Sequence, residues 1–375
     1  MSEVWVGTKP VIRPVWAEID LDAIAANLAA IKTRLAPETK VMAIVKANAY
    51  GHGLIPVARK ARQAGADRLG VALVEEALEL REAGLDIPIH ILSEPPVGAA
   101  EEIAAYHLIP AVYSIELAQA LSRKAQAIQA PITVHLKVDT GMHRVGAPLD
   151  RSLELYQAIR RLPGLKVEGI FTHFACADNP QDPFTAKQLQ SFLRLKKALP
   201  EVPMWHAANS AATIFMPETQ LDMVRIGIAM YGLQPSTKPS PIPLKPALSL
   251  RTKISFVQEL QSGEGVSYGL TYVAERKITV ATLPIGYGDG YSRLLSNKGK
   301  VLLGGKRVNI IGNICMDQLL VKVDNVKAAA GDEVVLIGNQ GKETISAEEM
   351  ASWLGTINYE VVCLINTRVA RVYQK

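Results

Sequence analysis

Eight short apolar runs, at 41–47, 68–74, 87–92, 109–113, 132–138, 165–171, 204–207 and 222–226, punctuate the chain from residue 41 onward. Between them lie stretches such as "LIPVARKARQAGA", "VEEALELREAG", "SIELAQALSRKAQAI", "RSLELYQAIRRLPG" and "FTAKQLQSFLRLKKALP". Their apolar side chains recur at spacings of three and four, which predicts amphipathic helices. Strands that alternate with helices build parallel sheets, because a parallel neighbour is reached only by a long crossover. Eight such units over about 200 residues predict a closed (β/α)8 barrel of the TIM type. The alternative is an open doubly wound sheet, which ordinarily carries a glycine-rich phosphate fingerprint after its first strand. Here that turn reads "KANAYGHG", not GxGxxG, and the barrel is favoured. A helix precedes the first strand, with Leu21, Ile24, Leu28, Ile31 and Leu35 on one face and Asp20 as its N-cap.

The texture changes at "LQPSTKPSPIPLKPAL", residues 233–248, where Pro235, Pro239, Pro241, Pro243 and Pro246 mark a linker or an extended crossing. Beyond it, runs rich in Val, Ile and Thr ("LRTKISFVQEL", "KITVATLPIGY", "KVLLGGKRVNIIG", "LLVKV", "DEVVLIG") are separated by turns holding Gly, Asp or Asn. That pattern is a β-domain signature, interrupted by one helical stretch, "SAEEMASWLG". The predicted organisation is α/β: a barrel over 11–240 and a C-terminal mostly-β domain over 241–375.

Composition removes several classes of function. The net charge of +5 is mild for 375 residues, and no basic block reaches five or six residues. Nucleic-acid binding needs a concentrated basic patch; small anionic metabolites suit this balance better. No apolar run approaches the roughly 18 residues that span a membrane, and no N-terminal signal peptide is evident. Cys176, Cys315 and Cys363 are odd in number and far apart, which fits a reducing cytoplasm rather than a disulfide framework.

Functional side chains of such a barrel gather at the C-terminal ends of its strands. Those positions hold Lys46; Lys137 and Asp139 in "VHLKVDTGMHR"; His173 in "GIFTHFACAD"; His206, Asn209 and Ser210 in "WHAANSAA"; and Arg225 in "LDMVRIGIAMYG". There is no GxSxG elbow, and neither HExxH nor a close His/Cys cluster, so no metal is expected. A strand-end lysine among cations points to a Schiff base, since neighbouring positive charge and desolvation lower an amine's pKa and free the nucleophile. Phosphate suits the loops after strands seven and eight, where "NSAA" opens a helix with Ser210 and Gly227 permits close backbone approach. Pyridoxal 5′-phosphate combines the two groups, an aldehyde and a phosphate.

At this point whole motifs become recognisable. "AIVKANAYGHG", "HLKVDTGMHRVG", "THFACAD", "HAANSAA", "VRIGIAMYG", "VSYGLTY", "PIGYGDGY" and "GNICMDQ", in this order, resemble the alanine racemase family through nearly the whole chain. The resemblance implies a cytoplasmic, pyridoxal-phosphate-dependent homodimer with shared active sites that interconverts L- and D-alanine for peptidoglycan. It also implies that residues 1–10 join the β-domain. Residue by residue, it implies Lys46 as Schiff-base lysine and first acid/base, with Tyr268 as the second, reaching in from the partner subunit. Tyr50, Ser210, Gly227 and Ile228, with Tyr359, would hold the phosphate, near Asn209. Arg225 would face the pyridine nitrogen, and His173 would link it to Tyr268. Arg144 and the backbone of Met316 would bind the substrate carboxylate, with Lys137 beside Arg144 and carbamylated to N6-carboxylysine.

One departure stands out. Where well-known members read "SYR" near the C-terminus, this chain has Thr367 in "INTRVARVYQK", which implies a roomier pocket mouth and a side activity on serine. Read without the resemblance, Tyr268 would be a strand tyrosine, Met316 core filler, Asp317 a turn residue, Arg144 a surface ion pair and His173 a satisfied structural histidine. Two other activities compete. An amino-acid decarboxylase of the same architecture would carry a glycine-triplet phosphate loop and a cysteine opposite the lysine, which this chain lacks. A non-catalytic cofactor carrier would end after the barrel.

Overall fold

The computed structural model describes residues 5–6 and 12–374. Contacts divide the chain into two compact units. One gathers residues 24–49 and 54–245; the other gathers the described residues up to Ala23, the short piece Tyr50–Gly53, and those from Pro246 onward.

The first unit is the (β/α)8 barrel. Its strands, in chain order, are Lys40–Ile44, Arg68–Val71, Ile89–Ile91, Ile109–Val112, Ile132–Asp139, Leu165–Phe171, Met204–His206 and Met223–Ile226. Neighbours pair in parallel, and the eighth strand returns to the first with Met223 opposite Lys40. Between strands seven and eight, Asp222 N donates to Trp205 O at 3.1 Å and Arg225 N to Ala208 O at 3.0 Å, which draws the ring together. Strand one is buried from Val41 to Ile44, as expected of a parallel strand covered on both faces. Outside the ring, helix Phe184–Ala198 sets Phe192 edge-on against Trp205, ring centroids 5.1 Å apart. Both are essentially fully buried, a contact worth roughly 1 kcal/mol beyond the area it hides.

Helices follow the strands where the spacing predicts them, at Leu54–Gln63, Val74–Glu82, Ile115–Ile128 and Ser152–Arg160. Ser114 caps the third through the N–H of Leu117, and Asp20 caps Leu21–Lys32 through the N–H of Ala23 at 2.7 Å. The first strand is shorter than its apolar run: it stops at Ile44, because the backbone then turns left-handed. Ala47, Asn48, Ala49 and Tyr50 all have φ of 51–52°, a conformation that costs a non-glycine residue roughly 1–2 kcal/mol. Side-chain hydrogen bonds offset it. Glu76 accepts the N–H of Ala47 at 2.6 Å, and Asn48 Oδ1 accepts that of Leu54 at 2.8 Å.

The second unit is mostly β. Its long sheet runs Trp5–Val6, Ala370–Gln374, Val15–Asp20, Leu248–Lys253, Glu333–Gln340, Lys300–Leu303, Lys306–Ile311, Leu319–Lys322, Ile278–Leu283, Phe256–Leu260. Val15–Asp20 is an interior strand here, antiparallel to Leu248–Lys253 and parallel to Ala370–Gln374. Two helices pack beside the sheet: Ala347–Leu354, foreseen from the sequence, and Asn358–Leu364, which was not. The glycines of "YGHG" have a local reason in this unit. A Cβ on Gly51 would sit 2.2 Å from the Val362 carbonyl oxygen, and one on Gly53 would sit 1.9 Å from the Tyr373 hydroxyl. Among the described residues no helix is long and apolar enough to cross a membrane.

Candidate active site

In the barrel, the strand-end residues fall into two groups. Arg225, on strand eight, is almost fully buried and is met from several sides. Its Nη2 donates to the carbonyls of Thr172 (2.7 Å) and Ala207 (2.8 Å) and to His173 Nδ1 (3.0 Å), and its Nη1 to His206 Nδ1 (3.1 Å). Burial lowers its pKa to about 9, which still leaves the guanidinium charged near neutrality. Burial and the cations Arg225, Arg144, Lys137 and Lys46 hold His173 far below the usual imidazole range. Neutral His173 then accepts from Arg225 at Nδ1 and carries its proton on Nε2.

Lys137 lies two residues before Asp139 on strand five, its ammonium donating to Leu92 O at 3.1 Å and lying 5.5 Å from the centre of the Phe171 ring. Burial, then Arg225, Arg144 and Lys46, push its pKa down to about 8. Lys137, Asp139, Met142, Arg144, Thr172 and His173 line one small hollow. Arg144 itself is exposed. Lys46 is half-buried just past strand one, close enough to act electrostatically on both Lys137 and His173.

After strand seven, Asn209 caps the short helix Ser210–Phe215 through Ala212 N at 3.0 Å. Ser210 Oγ faces strand eight's turn, accepting from Gly227 N (2.9 Å) and Ala229 N (3.4 Å), with Ile228 fully buried between them. A hydroxyl and backbone N–H groups therefore meet at one point.

The barrel interior holds residues that strand-end reading missed. Barrel interiors are ordinarily filled by branched apolar side chains; this one holds Arg68, His90, His135 and Glu168. Arg68 grips Glu168 with two bonds (2.6 and 3.1 Å) and donates to His90 Nε2 at 3.0 Å. His135 lies 3.0 Å from Glu168 through Nε2 and 2.9 Å from His206 through Nδ1. Hydrogen bonds from His135 and Arg68 hold the Glu168 carboxylate far below its ordinary pKa, and burial keeps His90, His135 and His206 neutral. His90, His135 and Glu168 offer ligand atoms within 4.8 Å of one another, a spacing a metal could use; the Arg68 guanidinium supplies the positive charge there. The sequence did carry a signal. His135 and Lys137 are two apart in "VHLKV", so a strand puts both on the inward face.

The β unit holds the other predicted residues. Tyr268 lies in the turn Tyr268–Leu270, not in a strand, because Ser267 and Leu270 adopt positive φ and end the pairing at Val266. It is 75% exposed. Met316 is 52% exposed and so is no core residue. Asp317 accepts from Arg368 Nη2 at 2.5 Å, and Thr367 beside that arginine is exposed. Tyr50 and Tyr359 face each other at 6.1 Å between ring centres, tilted by 50°, with Tyr50 buried and its pKa raised by that burial.

A barrel with an amine, a buried guanidinium and an anion cradle at its strand ends, joined to a separate β unit, defines a class of two-domain barrel enzymes. Comparison narrows it. The family models "Alanine racemase, N-terminal domain" and "Alanine racemase, C-terminal domain" match residues 19–235 and 247–373. An alanine racemase of Clostridium perfringens is 45% identical over 372 residues, covering 97% of this chain and 96% of that one. One of Symbiobacterium thermophilum is 46% identical over 371 residues, covering 96% and 97%. The crystal structure of alanine racemase from Bacillus anthracis with bound L-Ala-P matches with TM-score 0.93 at 39% identity, covering 98% of this chain and 96% of that one. That from Streptomyces coelicolor matches with TM-score 0.91 at 39% identity, covering 97% and 98%. The chain belongs to the alanine racemase family, and it is an isomerase.

Proposed function

We propose that the protein interconverts L- and D-alanine with pyridoxal 5′-phosphate, as a cytoplasmic homodimer, and supplies D-alanine for peptidoglycan. The observation that carries this reading is Arg225, buried at the strand ends between two neutral imidazoles, with Lys46 close enough to act on one of them, His173. The donor set fits the cofactor. Ser210 with the N–H groups around Gly227 and Ile228 is a cradle for phosphate, joined by Tyr50 and Tyr359. Arg225 suits the ring nitrogen and the Lys46 amine suits the aldehyde. Bound there, the cofactor would supply an electron-accepting ring that acidifies the substrate's α C–H.

Racemisation removes a proton from one face and returns one to the other, so two bases are needed. Lys46 Nζ serves one face and Tyr268 Oη, offered by the partner subunit, the other. An exposed tyrosine on a turn is free to be covered by a second chain. A phenol works as a base near neutrality only if its anion is favoured. The Nε2 proton of His173, fixed there by Arg225, would donate to the phenolate. Arg225 does not give up its own proton to the ring, which limits electron withdrawal and so discourages transamination. Arg144 and the Met316 backbone hold the carboxylate. Lys137 with a pKa near 8 exposes enough neutral amine to react with carbon dioxide; as a carbamate it would attract Arg144 instead of repelling it.

The direct test is to incubate L-alanine with cofactor-loaded protein in deuterium oxide. Formation of α-deuterated D-alanine is expected. Release of carbon dioxide, or no D-alanine at all, overturns the reading.

A further inference from the structure

The polar row inside the barrel has a direction. Arg225 can only donate, so His206 Nδ1 must accept from it and His206 must carry its proton on Nε2. That proton points at His135 Nδ1, 2.9 Å away, which therefore accepts. His135 is left with its proton on Nε2, aimed at the Glu168 carboxylate at 3.0 Å. Every link runs the same way, from guanidinium to carboxylate, across strands eight, seven, five and six.

Two neutral imidazoles with no charged group at either end could equally be stacked the other way round, since burial alone does not choose. The reversed row would set a His206 N–H against the Arg225 N–H, donor against donor, at the group that fixes His173. Glu168 forbids it, because an ionised carboxylate accepts and never donates. Arg68 completes the lock. Its bidentate grip keeps Glu168 charged and stops its carboxylate rotating. Phe171 is stacked on His206 with centroids 4.7 Å apart and planes 9° apart, which restricts the tilt of that ring.

We propose that Glu168 is a positioning residue for the racemisation: through the tautomers of His135 and His206 it holds Arg225, and so His173, in one hydrogen-bonding state. The role rests on the proposed function, but the proton positions do not, and the test separates them. Neutron diffraction from deuterium-exchanged crystals of the cofactor-loaded enzyme reads the row directly. Deuterons on Nε2 of His135 and His206, with none on either Nδ1, are expected. A deuteron on His206 Nδ1 overturns the proposal whatever the enzyme's activity.

Variants then test the consequence. Glu168→Gln retains an oxygen that can accept from His135; Glu168→Met retains none. Loss of a charge-assisted hydrogen bond is worth roughly ten-fold or more, so the expected order of kcat is wild type, Gln, then Met. The loss should fall on kcat, with little change in KM for alanine, since Arg144 is untouched. Should Glu168→Met not fold, Arg68→Met/Glu168→Met removes both charges, an exchange that buried ion pairs commonly tolerate, and it should show the same loss of kcat. Equal kcat in the Gln and Met variants, wild-type kcat in the double variant, or a change confined to KM each overturns the role.

Discussion

The barrel and the β unit treat their chemical residues in opposite ways. In the barrel, Arg225, His206, His135 and Arg68 are buried and each is tied by hydrogen bonds to partners from other strands. In the β unit, Tyr268 and Met316 stand out on turns, 75% and 52% exposed. A buried polar group persists only if its neighbours satisfy it, so folding itself fixes where those four barrel side chains sit. An exposed tyrosine needs no neighbour to satisfy it. The difference teaches that one half of the candidate chemistry is organised by the folding of this chain, whereas the other half stands on exposed turns.

The hardest test of that contrast is Lys46→Ala. Without the imine-forming nitrogen, racemisation and the yellow covalent chromophore should both vanish. A borohydride-reducible cofactor that survived in the mutant would remove Lys46 from its role.

Tyr268→Phe should come next, with turnover down by roughly 10²–10⁴-fold, the usual worth of a positioned acid/base. Cofactor binding and the melting temperature should stay at wild-type values, since the hydroxyl is exposed. Mixing it with Lys46→Ala should restore one intact site per heterodimer. No recovery after verified subunit exchange would deny that the two residues come from different chains.

Arg225→Met should behave in the reverse manner, with stability struck as hard as turnover. Two imidazoles and two carbonyls lose their donor in the core, a loss of roughly 3–5 kcal/mol by the measure of broken buried pairs. Denaturant melts of Arg225→Met and Tyr268→Phe, run side by side, would sharpen the comparison or erase it.

Lys137 provides a gentler pH test. A lysine whose pKa is depressed to about 8 is protonated below that value and increasingly neutral above it. Carbamylation needs the neutral amine, so bicarbonate should activate carbon-dioxide-depleted enzyme more at pH 8 than at pH 6, and should not activate Lys137→Gln. Equal activation at both pH values would argue against the carbamate.

The smallest effect is expected at Thr367. Thr367→Tyr should shift kcat/KM toward alanine over serine, within the roughly 1–3 kcal/mol that one group in a pocket discriminates. An unchanged ratio would mean that Thr367 has no bearing on substrate choice.

By itself the sequence determined the alternation that makes the barrel, the β texture after residue 248, and the polar residues at the strand ends. Each is a local pattern: a period of three to four, a period of two, or a side chain next to an apolar run. Even the seam between strands seven and eight follows from counting to eight. What the pattern could not carry was the left-handed turn at Ala47–Tyr50, since only the Glu76 and Asn48 side chains, brought back by the fold, compensate its strain. Nor could it place Val15–Asp20 inside a sheet between two strands that lie more than 200 residues away in the chain. Most of all it hid the row from Glu168 to Arg225. A histidine or glutamate inside an apolar strand is locally a misfit, and it becomes sensible only when eight strands close around a common axis and bring its partners to within 3 Å or so.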